Sequence, residues 1–507
     1  TRIVTTHPLR LRCCVTLGRD DWLDVARKVD WTYRYVSEEE VFPPEMSGRP
    51  WLPHDSWQGW NEAYRTTYRE YVSNQRAKDD AVLGVRSALS KVHILEGLDP
   101  GWLQLVKFHN GALALAEYAG AVAELRMARF GRDSAWRMMA TLGALDEIRH
   151  TQIPLLLGHD MLRFDGNFDW THKAYHTNEW MIIAARHLFD DMFLAADAID
   201  LAIQLNLVFE TGFSNLQFMA MAAMADRASH HLFEKALASI QTDEARHSQI
   251  GHPVLRTLID NGGKDRAQFL VDKMWWRCWR LLIALTGSAM EYLVPVEART
   301  RSFKEFMEEW VIEQFTKNLA EFGLERPWFW DLFLEELDSA HHSFQLGLYA
   351  YRTTLWFDVA MPDAEERCWL SEKYPQWDEI FGPFWKRLEE EWATNGEAGT
   401  LAYALPAICN LCQLPTLFVR PGKNTACTLM VGGRNYLFCS QPCRWIFEQQ
   451  KERFTDHRSV VDRIVAGQAP GKLIDLHDWM GLQAPTETGK DLRRGLSPWR
   501  LEPVPTA

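Results

Sequence analysis

The chain has 507 residues, of which 47% are apolar and 12% aromatic, with 23 tryptophans. That length suits one large domain or two to three ordinary ones, with rigid aromatic packing between long elements. A formal net charge of −13 argues against a nucleic-acid binder and favours partners with a basic patch. No apolar run reaches the roughly 18–20 residues of a membrane span. The nearest, Gly111–Leu125, is broken by Glu117 and Glu124.

The first 60 residues read as an irregular arm, with turns at Pro43-Pro44 and Gly48-Arg49-Pro50. Arg10 and Arg12 interrupt any apolar segment within Thr1–Leu17, so no secretory signal is read there. Nine cysteines, an odd number, fit a reducing cytoplasm better than a disulfide framework. From about Glu62 to Val359, apolar residues recur every three or four positions. Helices are expected over about 62–94, 102–130, 134–157, 178–194, 197–225, 231–261, 265–294, 303–322 and 328–355. Breakers fall between them at Asp99-Pro100-Gly101, Asn261-Gly262-Gly263 and Arg326-Pro327. After about residue 400 the character changes to cysteine pairs, glycine and β-prone runs at 428–431 and 436–438. A main domain over 1–400 and a small α+β domain over 401–507 are expected.

Two helices carry the same pentad, Asp146-Glu147-Ile148-Arg149-His150 and Asp243-Glu244-Ala245-Arg246-His247. Glu-x-x-His sets a carboxylate and an imidazole one turn apart on one helix face, within reach of the same metal. Two such helices, with one glutamate from each of two others, make a di-metal site in a bundle. Glu117 and Glu210 lie in otherwise apolar helical stretches and supply those two carboxylates, because a buried unpaired carboxylate is too costly to be filler. Glu124 competes with Glu117, but Arg126 and Arg129 suggest a wetter turn. Asp146 and Asp243 are expected to accept the second N–H of the ligating imidazoles, each across to the opposite helix, with Arg149 and Arg246 neutralising them. The plainer alternative is a set of surface ion pairs. Cys409, Cys412, Cys439 and Cys443 form CxxC…CxxxC, which suits a structural zinc site, or free thiols in a reducing cell. Cys13, Cys14, Cys278, Cys368 and Cys427 show no ligand pattern.

At these residues the chain resembles the large catalytic subunit of bacterial multicomponent di-iron monooxygenases, most of all the toluene/benzene and alkene group. The likeness runs from about Asp30 to Lys490, including Glu40–Gly48, Ser239–Glu244, Phe303–Met307 and Glu372–Pro375. It implies a ferritin-like, all-α fold and two iron ions held by Glu117, Glu147, His150, Glu210, Glu244 and His247. Implied partners are β and γ subunits in a dimer of heterotrimers, a small effector protein, a Rieske ferredoxin and a flavin/iron–sulfur reductase drawing on NADH. The implied reaction hydroxylates small aromatics or epoxidises small alkenes. Ser214 stands where the family usually carries Thr, and Asn215 and Gln241 match polar residues near the metal and the substrate gate. Leu113, Ala116, Gly120, Phe189, Leu205, Phe209 and Phe218 are expected to wall the pocket, Ala116 and Gly120 leaving room beside the metals. Gly212, mid-helix, suits a local π-bulge. Competing readings are an iron-storage or ferroxidase protein, a ribonucleotide-reductase-like radical subunit, a phenol hydroxylase, and a non-catalytic partner subunit.

Overall fold

The computed structural model describes residues 16–468, apart from 28, 30, 49–51, 53, 58, 62–64, 90–93, 177–179, 352–356, 396–407, 415–425 and 456–459. Cys13, Cys14 and the expected boundary near residue 400 lie outside the described residues. The architecture is a helical bundle with one small two-stranded sheet.

The arm carries short helices at Arg19–Arg27, Glu38–Val41 and Pro44–Ser47. It is fastened to the bundle by aromatic contacts. Trp57 and Trp60 stack on Trp136 with centroids 5.2 and 5.7 Å apart. The guanidinium groups of Arg129, Arg132 and Arg137 sit over the Phe42 ring.

The helices from Tyr68 to His247 position the site. Helix α1 spans Tyr68–Leu89. Helix α2 (Pro100–Phe130) begins where Asp99 accepts a hydrogen bond from the Trp102 amide and Pro100 needs no donor in the first turn. Helix α3 (Ser134–Met161) is capped by Asp133 and continues past Pro154, a turn beyond the expected end at 157. Helix α4 is Trp180–Phe193. Helix α5 starts at Ala198–Ala202, widens into a π-helical stretch at Ile203–Ser214 and returns to α-geometry at Asn215–Arg227. The widened turns hold Glu210 and Gly212.

The second pentad ends α6, His231–His247. A short 3-10 turn then leads into α7, Gly251–Asp260. The close approach of α7 to α5 explains Gly251: a Cβ there would stand 2.6 Å from the Leu207 amide nitrogen. Helix α8 begins at Lys264–Leu282 and continues through π-helical turns at Ile283–Gly287 and Ala289–Leu293. Its Trp275, Trp276 and Trp279 are fully buried. Helix α9 covers Phe303–Phe306, a π-helical stretch Met307–Ile312 and Glu313–Glu321. The expected helix over 328–355 is instead two, α10 (Trp330–Glu336) and α11 (Ala340–Tyr351), separated at 337–339. Two further helices, α12 (Ala364–Lys373) and α13 (Trp377–Asn395), lie beyond the span expected to be helical. α12 opens with a capping box between Asp363 and Glu366, a signal present in the sequence. Among the described residues no single helix is long and apolar enough to cross a membrane.

Strands β1 (Cys427–Val431) and β2 (Arg434–Phe438) pair antiparallel around Gly432-Gly433. Both glycines have positive φ, 57° and 76°, as a two-residue hairpin turn that follows the strand twist requires. Helix α14 (Gln441–Gln449) follows. This unit shares the main core: Trp276 of α8 donates to Cys443 Sγ at 3.2 Å, and Phe269 packs edge-on against Trp445.

Candidate metal centre and apolar cavity

Helices α2, α3, α5 and α6 bring Glu117, Glu147, His150, Glu210, Glu244 and His247 together, all buried. The spacing on each pentad helix works as the 3.6-residue period demands. His150 Nδ1 lies 3.4 Å from Glu117 Oε2, 3.7 Å from Glu147 Oε2 and 3.2 Å from Glu244 Oε1. His247 Nδ1 lies 3.3 Å from Glu147 Oε1 and 3.1 Å from Glu210 Oε1. The two imidazole centroids are 5.9 Å apart.

These groups fit metal ions. His150 Nδ1 and Glu244 Oε1 are buried and, among the described residues, have no hydrogen-bond partner despite their crowding. Four carboxylates and two neutral imidazoles carry a charge of −4, which two divalent cations cancel. Without a cation the cluster is electrostatically strained. Burial pushes the Glu210 carboxyl up to about 8, and burial with the neighbouring Glu244 and Glu117 charges raises Glu147 well above the usual carboxylate range. Burial alone would lower His150, but the Asp243 carboxylate at Nε2 and the Glu117, Glu147 and Glu244 carboxylates crowded around Nδ1 hold it well above its ordinary value. Burial lowers His247 to about 4.

Behind the cluster the pentad aspartates and arginines form a buried network. Asp243 Oδ2 faces His150 Nε2 at 3.3 Å, the cross-helix arrangement expected from the sequence. Asp146 does not take the matching place beside His247. It accepts instead from Tyr71 Oη at 2.9 Å and Gln75 Nε2 at 2.5 Å, and pairs with Arg246. Arg149 bridges Asp243 (3.1 Å), Asp79 (2.6 Å) and Ser239 Oγ (2.6 Å). Gln75 and Lys78 both donate to Asp243 Oδ1. So α1 supplies four polar partners that the sequence reading missed, Asp79 to Arg149 and Tyr71, Gln75 and Lys78 to the two aspartates. Their i, i+4, i+7, i+8 spacing was the available signal.

Glu124 departs from expectation. It is fully buried rather than wet. A residue two positions along a helix points about 200° away, so Arg126 turns outward to the Phe193 and Ala195 carbonyls and Arg129 to that of Val41. Burial and the nearby Glu210 push the Glu124 carboxyl well up.

A cavity of about 60 Å³ abuts the cluster. Leu113, Ala116, Gly120, Phe189, Leu205, Phe209 and Phe218 all line it, as does Ser214. Ser214 Oγ donates to Glu244 Oε2 at 3.2 Å. Gly120 has a tighter reason than substrate room, because a Cβ there would meet Glu147 Oε2 at 2.9 Å. Asn215 and Gln241 do not line the cavity; Gln241 Nε2 donates to Asn215 Oδ1 at 2.8 Å, linking α5 to α6. The sequence reading missed Tyr175 and Gln217, two polar groups in the wall, and Leu281 and Leu285 from α8.

Among the described residues Glu124 also comes within ligand-set distance of Glu210 and His247, and two separate clusters have metal-binding residue types. Cys409, Cys412, Cys439 and Cys443 are buried free thiols with Cys412–Cys439 and Cys439–Cys443 sulfurs 3.9 and 3.4 Å apart. Tetrahedral zinc with thiolates at about 2.3 Å keeps sulfurs roughly 3.8 Å apart. Glu291, His341 and His342 form the other. Ligands of one metal stay about 3 Å apart or more, whereas His341 Nε2 is 2.5 Å from Glu291 Oε2. Glu291 also accepts from the Phe303 amide at 2.7 Å and from Tyr374 Oη. The Glu291 carboxylate is thus taken up by protein donors.

A helical bundle in which two Glu-x-x-His helices and two further glutamate helices converge beside an apolar cavity defines a carboxylate-rich di-metal hydroxylase. The chain belongs to the methane/phenol/alkene hydroxylase family of di-iron monooxygenases, as a catalytic hydroxylase subunit, and the family's sequence profile matches residues 31–262. It is 39% identical over 484 residues to the α subunit of the oxygenase component of the alkene monooxygenase system of Xanthobacter autotrophicus, covering 94% of this chain and 96% of that one. It is 26% identical to the oxygenase component of phenol 2-monooxygenase from a Pseudomonas species, over 89% of this chain and 88% of that one. The crystal structure of xenon-pressurised phenol hydroxylase from Pseudomonas sp. OX1 superposes with a TM-score of 0.83 over 93% of this chain and 97% of that one. At 23% identity, that likeness speaks for the fold.

Proposed function

We propose that the chain is the oxygen-activating subunit of a multicomponent alkene monooxygenase, with two iron ions held by Glu117, Glu147, His150, Glu210, Glu244 and His247. The convergence of these six side chains, the four glutamates among them lining one apolar cavity, carries the reading. When bound, two irons supply reductive activation of O2, with one oxygen atom entering the hydrocarbon and the other leaving as water. The protein's part is to fix the ligands, exclude water and place the substrate. Asp243 orients His150 through its second ring nitrogen and keeps it aimed at the site. Ser214 Oγ offers a hydroxyl to Glu244 at the cavity edge, where a proton can be held or passed. Phe189, Phe209 and Phe218 shield the site with aromatic surface.

The cavity volume favours a short alkene. At about 60 Å³ it is well below the roughly 150 Å³ of an apolar cavity that admits benzene. The similarity to the Xanthobacter alkene monooxygenase subunit points the same way. An oxygenase component implies further hydroxylase subunits, an effector and an electron chain from NADH. The four cysteines hold a structural zinc. The test is metal analysis and turnover of the purified hydroxylase complex. Two irons per chain and NADH-dependent epoxidation of propene, only with the partner proteins present, are expected. Glu244→Ala abolishes both iron binding and turnover; full activity in that variant would overturn the assignment.

A further inference from the structure

A seventh buried carboxylate stands beside the six, outside the ligand set. Glu124 of α2 is fully buried, and Gly143 of α3 makes its space, since a Cβ there would lie 3.1 Å from Glu124 Cδ. Asn206, in the π-helical stretch of α5, is equally buried. Its Nδ2 donates at 2.7 Å to Glu124 Oε1 and at 2.7 Å to Glu210 Oε2. One amide nitrogen with two hydrogens thus joins two carboxylates, and the flipped amide would set its oxygen against both. The backbone carbonyl of Asn206 is pinned in turn by Thr211 Oγ1 at 2.6 Å. The other oxygen of Glu210, Oε1, is the one that faces His247 Nδ1.

We propose that Glu124 and Asn206 form a brace that fixes Glu210 as a one-oxygen metal ligand, holding Oε2 back while Oε1 faces the metal. Neither residue touches the cavity; both are positioning residues, acting through Glu210. The inference rests on reading Glu210 as an iron ligand. The widened π-helical turns would otherwise leave Glu210 free to rotate to a two-oxygen mode. The carboxamide of Gln keeps an acceptor oxygen for Asn206, so Glu124→Gln preserves the brace, whereas Glu124→Leu removes it.

The test is an anaerobic Fe(II) titration of the iron-depleted hydroxylase complex, read by iron bound per chain and by the near-infrared circular dichroism of the loaded site. Asn206→Leu and Glu124→Leu are expected to weaken the binding of one of the two irons by about tenfold or more and to shift the ligand-field bands, while Glu124→Gln retains wild-type affinity and spectrum. If Asn206→Leu does not fold, the two Glu124 variants carry the comparison. Unchanged affinity and spectrum in the Leu variants, or equal loss in Glu124→Gln and Glu124→Leu, would overturn the brace. Failure of the wild-type complex to take up two irons would instead overturn the di-iron reading.

Discussion

At the scale of single residues, the hydroxyl of Ser214 lies between the cavity and the glutamate–histidine cluster. Its donation to Glu244 Oε2 is a hydrogen bond to a charged acceptor, a class that contributes about 1.5–3 kcal/mol. Ser214→Ala is expected to keep its iron, because Ser214 is not a ligand, and to lose about tenfold in kcat/KM. Product formed per NADH consumed falls with it. Iron content measured beside coupled turnover separates this outcome from loss of the site. Glu210 supports a second expectation. In the metal-free protein burial raises its carboxyl from 4.5 to about 8. The folded state then keeps a proton that the unfolded chain gives up, so this contribution to stability is full below pH 4.5 and is lost as pH rises through about 8. The melting temperature of the metal-free protein should therefore fall between about pH 4.5 and 8. The iron-loaded protein should not follow, and loading at neutral pH should release protons.

At the scale of elements, the π-helical stretch of α5 is the feature that makes room for the site. Gly212 and Gly251 distinguish two reasons for glycine there. A Cβ on Gly212 would meet nothing closer than Phe315 Cδ2 at 3.9 Å. Gly212→Ala therefore adds no clash and raises stability by up to ~1 kcal/mol through lost backbone freedom. A melting temperature that rises while turnover falls would show that the glycine is kept for motion. Gly251→Ala, by contrast, drives a methyl into the rigid backbone of Leu207 and should cost about 1–3 kcal/mol, seen as a lowered melting temperature. The helices of the bundle were legible because their apolar stripes repeat at 3.6 residues. The Glu-x-x-His pairs were legible because a ligand pair needs only one helix. What the sequence could not reveal is which helix faces meet. Tyr71, Gln75 and Lys78 gain their meaning only when α1 is laid across two buried aspartates. Glu124 was misjudged because neighbours in sequence were taken as neighbours in space. The π-geometry itself carries no residue signature beyond Gly212.

At the scale of the whole molecule, the cysteine unit and the catalytic cavity share one helix. Trp276 of α8 donates to Cys443 Sγ at 3.2 Å, and Arg277 Nη1 reaches the Leu411 carbonyl at 3.4 Å. Arg280 is buried and paired with Glu336 at 3.0 Å, and it lies beside Cys439, Cys412 and Cys443, whose thiolate charge together with that of Glu336 favours the guanidinium against burial. Further along the same helix, Leu281 and Leu285 form part of the cavity wall. A metal held by the four thiols, as proposed, would clamp the middle of α8 about one turn before Leu281, and the wall position would depend on that clamp. Cys439→Ser is expected to lose one zinc per chain while both irons remain, because no residue is shared between the two centres. The melting temperature should drop by several degrees, consistent with loss of a structural metal. The far effect is the more telling one. With the clamp released, Leu281 and Leu285 gain freedom, and discrimination between a short alkene and a bulkier one should relax, measured as a ratio of kcat/KM values. An unchanged ratio beside a lowered melting temperature would show that α8 is held at the cavity by the tryptophan core of the bundle alone.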